Sequence, residues 1–98
     1  MTAYIVLFRH QTHDENGMKV YAELASQAPM SKLELVASSK LGAFNLLEGE
    51  GVETAVIMRF PSQEDAMAWY DSPEYTKARK HRMASGEFTV ALIDGCET

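Results

Sequence analysis

The chain has 98 residues, enough for one domain spanning 1–98, which buries only roughly 60–70% of its unfolded surface, so a partner subunit would add to a thin core. Hydrophobic residues make up 46% and charged residues 23%, an ordinary globular balance, and the net charge of −5 argues against nucleic-acid or anionic-membrane binding driven by overall charge. The one cysteine, Cys96, excludes an internal disulfide framework or a cysteine-rich metal site, and no run approaches the roughly 18–20 apolar residues of a membrane span. The apolar run Tyr4–Phe8 is too short for a signal peptide and has no basic flank before it, so a cytoplasmic location is the default expectation.

Residues 3–10 read as a strand rich in β-branched and aromatic residues, apolar on both faces. The face of Tyr4, Val6 and Phe8 is expected to pack toward the helices, with Ile5 and Leu7 on the other. A polar loop follows, then a helix from about Asn16 to Gln27 with Met18, Tyr21, Leu24, Ala25 and Ala28 inward, ended by Pro29. Residues 30–41 fit a helical turn and then extended chain from about Val36. Residues 43–48 read as a second strand, Gly49-Glu50-Gly51 as a hairpin turn, and 52–60 as a third strand.

The stretch from Phe60 to Tyr75 is the most informative. Ser62 with Asp65 three residues on is close to a capping box, and Glu64 and Asp65 suit the first turn of a helix. Ser72-Pro73 then stops that helix near Asp71 and starts another, because Pro favours the first helical position and drives the residue before it out of the α region. The two helices cover 61–71 and 73–84. Tyr75, Ala78 and Arg82 fall on the inner face of the second, with His81 beside them and Lys77 and Lys80 outside. Gly86 ends the helix and 87–94 form the last strand, leaving 95–98 as a loose tail.

The run Phe60–Arg82, with Trp69-Tyr70-Asp71-Ser72-Pro73-Glu74-Tyr75 at its centre, together with Leu47-Glu48-Gly49 and Ile93-Asp94-Gly95, resembles the DUF1330 family. The likeness covers nearly the whole chain. It implies a ferredoxin-like subunit of the dimeric α+β barrel group and carries no agreed activity. Similar sequences have a Gly pair leading into the second strand, whereas this chain has no Gly between Gly17 and Gly42.

The order β-α-β-β-α-β is the ferredoxin-like α+β pattern, a four-stranded antiparallel sheet with its helices on one face. Ile5, Leu7, Ala55, Ile57, Ala91 and Ile93 would leave the second sheet face apolar. A second copy, sheet on sheet, is the simplest cover, giving a homodimer. The expected register pairs Ile5 with Ile57, Leu7 with Ala55 and Arg9 with Glu53, the last as a cross-strand ion pair.

The imidazoles are His10, His13 and His81. No third ligand stands at a recognisable spacing from His10 and His13, so no metal site is expected. His10, at a strand end, and His81 are the candidate catalytic residues, with ordinary surface roles as the alternative. Trp69 and Tyr75 read as core rings that can also line a pocket. Arg82 can clamp a carboxylate, or tie Glu48 or Glu74 structurally, and the structural tie is the favoured reading. Asn45 and Glu48 fall on the expected second strand. The run Lys77–Arg82 is read as a solvated helix face rather than a nucleic-acid patch. No Gly-rich phosphate loop, nucleophile triad or dinucleotide fingerprint is present, and no cofactor is expected. The expected function is a homodimer binding a small, mostly apolar or carboxylate-bearing molecule in a cleft between sheet and helices. The alternative is a cofactor-free isomerase, cyclase or monooxygenase on a small organic substrate.

Overall fold

Each helix begins where a side chain takes over an orphan amide. Asp14 Oδ1 accepts from Gly17 N–H at 3.0 Å and opens α1 (Glu15–Ala25). Ser62 Oγ accepts from Asp65 N–H at 3.0 Å and opens α2 (Gln63–Tyr70). The same hydroxyl donates to Asp65 Oδ2 at 3.1 Å, while the Lys32 ammonium donates to Asp65 Oδ1 at 3.0 Å and holds that carboxyl below its usual range. Ser72 Oγ accepts from Tyr75 N–H at 3.2 Å and, with Pro73 in the first turn, opens α3 (Pro73–Ser85). These caps stand where the sequence places them for the second and third helices; the Asp14 cap starts the first helix one residue earlier than expected.

A computed structural model describes residues 1–39 and 42–96. The strands are β1 (Ala3–Thr12), β2 (Glu34–Ser38), β3 (Thr54–Phe60) and β4 (Gly86–Asp94). They form one antiparallel sheet in the order β2-β3-β1-β4, the ferredoxin-like arrangement. The helices lie on one face. Ile5, Met58, Phe60, Ala66, Trp69, Tyr75 and Ala78 build the core between them and the sheet.

The structure corrects several expectations. The second strand is Glu34–Ser38, which begins in the stretch read as a helical turn and continues into the extended chain expected from Val36, and residues 43–48 form no strand. Leu35 pairs with Met58 and Ala37 with Ile57 across a bulge at Val36, so that edge of β3 is already filled. Gly49 (φ 95°) and Gly51 (φ 72°) then serve a long loop rather than a hairpin. Lys40 and Leu41, in the extended chain expected from Val36, and Glu97 and Thr98 of the expected loose tail lie outside the described residues.

The faces of β1 are also exchanged. Ala3, Ile5 and Leu7 are buried against the helices, and Tyr4, Val6 and Phe8 lie on the open face. The register is one residue from that expected: Ile5 opposes Met58, Leu7 opposes Val56 and Arg9 opposes Thr54. A slip of one residue reverses every side chain of a strand, and β1 is apolar on both faces, so alternation offers no guide to its direction. The expected ion pair nevertheless forms, with Arg9 Nε 3.3 Å from Glu53 Oε1.

The start of α1 is sewn to the end of α3. His13 and Asp14 N–H both donate to Ser85 O, at 2.7 and 3.1 Å. Gly17 faces this seam, and a Cβ there would run into the buried Ser85 hydroxyl and lie 3.1 Å from Ser85 Cβ. Gly17→Ala gains helix propensity of about 1 kcal/mol. Overpacking costs about 1–3 kcal/mol. The expected outcome is a lower urea midpoint; an unchanged or higher midpoint would mean that the seam has slack.

Candidate functional site: a cleft between the first helix and the sheet

Helix α1 packs on α3 and stands off the sheet, and none of its residues is fully buried. The space beneath it is a cleft of about 520 Å³. Its roof is Met18, Tyr21, Ala22 and Ala25 of α1, and its floor is the helix-facing side of β1 and β3, including Leu7, Val56 and Met58. Trp69 closes it from α2, and Tyr75 and Arg82 from α3.

The break at Ser72 sets this wall. Ser72 Oγ donates to Trp69 O at 2.8 Å, and the chain turns so that the Trp69 and Tyr75 rings meet with centroids 4.0 Å apart. One wall thus carries the indole, the phenol and, two turns along α3, the guanidinium. Tyr21 reaches down from α1 to meet Tyr75, hydroxyl to hydroxyl at 2.8 Å. Burial first, and then the neighbouring Tyr75, pushes the Tyr21 phenol far above its ordinary value of 10.0, so it stays protonated.

Arg82 is 3% exposed. Its guanidinium lies 5.0 Å from the Phe88 ring centroid and 6.0 Å from that of Tyr21. Its Nε–H is buried without a hydrogen-bond partner, and so is the Trp69 Nε1–H. No carboxylate among the described residues forms an ion pair with Arg82, so the favoured tie to Glu48 or Glu74 is not made. Glu48 is exposed on the long loop. A buried cation without a counter-charge is costly, and this one lines the cleft.

The structure therefore brings Trp69, Tyr75 and Arg82 together and keeps the two candidate histidines away. His81 is exposed and does not line the cleft. His10 lies on the open sheet face, with Nδ1 2.9 Å from Gly51 O and Nε2 2.7 Å from Thr89 Oγ1. This follows from the exchanged faces of β1. His13 pairs with Glu87 at 3.7 Å, and no group of three potential metal ligands occurs among the described residues. Asn45 is exposed on the long loop. The basic run is dispersed, since Arg82 is buried and Arg79 lies 4.2 Å over the Tyr70 ring. Tyr21 and Arg9 also line the cleft. In the sequence Tyr21 is legible only as an inward helix residue and Arg9 only as an ion-pair partner.

The sheet order and the one-sided helices define a ferredoxin-like α+β protein with a sheet–helix cleft. The chain belongs to the family described as domain of unknown function DUF1330, which it matches over residues 2–96. No functionally curated protein matches it in sequence. Among solved structures, the hydroxynitrile lyase of Passiflora edulis superposes with a TM-score of 0.68 at 18% identity, covering 99% of this chain and 95% of that one. A dimeric ferredoxin-like protein of unknown function from Jannaschia sp. CCS1 gives 0.66 at 13% identity, covering 97% and 100%. SnoaB, a cofactor-independent oxygenase from Streptomyces nogalater, gives 0.58 at 11% identity, covering 99% and 94%. At these identities the likeness is one of fold. No helix among the described residues is long and apolar enough to cross a membrane.

The Tyr21 phenol sets a pH dependence. Above pH 10 the unfolded chain releases this proton and the folded chain keeps it, so stability falls as the pH rises. Tyr21→Phe removes that loss. Urea unfolding between neutral pH and pH 11 is expected to show a steeper alkaline decline for the wild type than for the variant; parallel declines would mean that Tyr21 titrates as a free phenol.

Proposed function

We propose that the cleft binds a small organic molecule with an apolar body and a carboxylate, held by Arg82 and lined by Trp69 and Tyr75. The observation that carries this reading is the buried guanidinium of Arg82, which lines a largely apolar cleft and has no carboxylate partner among the described residues. A carboxylate would supply the missing charge and accept from the guanidinium. The rings would cover the apolar part. The experiment is to follow the single Trp69 indole N–H resonance while benzoate or octanoate is added at millimolar concentration. The wild type is expected to shift and saturate. Arg82→Met is expected to lose the shift and, freed of a buried charge, to unfold later in urea by about 1–4 kcal/mol. A variant that binds equally well would overturn the reading.

A second reading, a cofactor-free enzyme, is favoured by the paired Tyr21 and Tyr75 hydroxyls beside Arg82, which could hold an oxyanion. Neither His10 nor His81 lines the cleft, so its base would have to be another group.

We also propose that the protein works as a homodimer joined through the open sheet face. Val6, Ile57 and Ala91 stand in one cross-strand row there, and Ile93 beside them is 59% exposed. Covering side chains of this size is worth about 1.5–3 kcal/mol each for the larger ones. The similarity to dimeric ferredoxin-like proteins supports the same arrangement. Light scattering is expected to give a dimer for the wild type and a monomer or unfolded chain for Ile57→Glu. A monomeric wild type would rule this interface out.

A further inference from the structure

The cleft is polarised, and its polarity describes the ligand more closely. On its floor, Arg9, Thr54 and Phe88 stand in one cross-strand row, with Arg82 over Phe88. Leu7 and Val56 follow, and then Met58 with Leu35 opposite it on β2. Four residues of β1 separate the Arg9 row from the Met58 row, about 13 Å at the rise of a strand. Leu33 and Met30 extend the second end. One end of the cleft therefore carries guanidinium groups and the other carries aliphatic and thioether side chains.

The charges at the first end largely cancel. Arg9 is held by Glu53 at 3.3 Å. Glu15 and Lys19 are opposite charges one helical turn apart on α1. Glu87, which shares a neighbouring recess with Arg82, is turned to His13 at 3.7 Å. Among the described residues, Arg82 remains uncompensated. The second end has no cation among its described lining residues: Lys32 is held by Asp65 and Arg59 by Glu34, and neither lines the cleft. Trp69 Nε1–H offers the lining a neutral donor only.

From this we infer that the ligand is an elongated monocarboxylate, its head on Arg82 and its chain running toward Met58, Leu35 and Leu33, and that the site discriminates against dicarboxylates of the same length. The inference rests on the cleft being the ligand site, as proposed above. A second carboxylate would give up part of its hydration to Leu33 and Met58, with no counter-charge in the described lining, and an ammonium head would meet Arg82.

The test compares octanoate, octanedioate, 1-octanol and octylamine on the wild-type protein by calorimetry, with the Trp69 indole resonance as the site reporter. Octanoate is expected to bind at least about ten-fold more tightly than octanedioate or octylamine, since each of these buries an unpaired charge. Arg82→Met should weaken octanoate by about ten-fold or more and leave 1-octanol unchanged or tighter. Arg82→Lys, which keeps the charge, should preserve the preference for octanoate over 1-octanol. Equal binding of octanoate and octanedioate, with the indole responding to both, would overturn the polarity and leave the cleft as a ligand site. Failure of every probe to move the indole would overturn the cleft itself and this inference with it. The ranking on the wild type stands as a test even if Arg82→Met does not fold.

Discussion

The geometry of the cleft depends on a buried serine. Ser72 takes the Tyr75 amide on its hydroxyl at 3.2 Å and gives that hydroxyl's proton to the Trp69 carbonyl at 2.8 Å. Its own amide reaches the same carbonyl at 3.2 Å, and its carbonyl accepts from Thr76 N–H at 2.8 Å. The group that ends one helix thus begins the next, without a loop to spare. The last indole of α2 is set against the first phenol of α3, and from there helical spacing carries Ala78 and Arg82 along the same buried side. Were α2 to continue unbroken past Tyr70, Arg82 would leave that side.

A second constraint holds the cleft open. Helix α1 is fastened at its start, where Ser85 O takes two amides, and against α3 along its length, but it does not settle onto the sheet. A domain of this size has little burial to forgo. Leaving α1 only partly packed on the core and, among the described residues, a guanidinium beside it without a counter-charge departs from two rules of stable packing in one place. Such departures concentrate where function needs them, because a site complementary to a ligand is incomplete without it. The Tyr21–Tyr75 bond is the counterexample inside the same cleft: the two hydroxyls bond to each other there, and burial keeps the Tyr21 phenol protonated.

What could be read from the sequence divides along the range of the interactions. Helix caps are local, and Ser62, Asp65, Ser72 and Pro73 announce their roles within four residues of themselves. The inner face of α3 follows from the same short-range periodicity, so the positions of Tyr75, Ala78 and Arg82 were legible. Strand choice is not local. Both 34–38 and 43–48 offer apolar residues, and only the edge of β3 decides between them, through Leu35 against Met58 and Ala37 against Ile57. The direction of β1 is hidden for a related reason. With Tyr4, Val6 and Phe8 on one side and Ile5 and Leu7 on the other, neither face is marked as polar, and the helices decide by covering one.

The same distinction explains why the site was half visible. That Arg82 points inward is a matter of helical phase. That no carboxylate among the described residues meets it is a matter of where the acidic side chains end up, and the sequence offers Glu74 two turns before it and Glu48 on an apparent strand. The long loop carries Glu48 away into solvent, because β2 has already taken the place that 43–48 would have filled. Glu53, at the start of β3, goes to Arg9 instead, although the register places Thr54 rather than Glu53 opposite it. An unpaired charge is a property of the whole fold rather than of a motif. The isolation of Arg82 among the described residues therefore follows from the sheet order and from where the long loop ends, not from its own position in the helix.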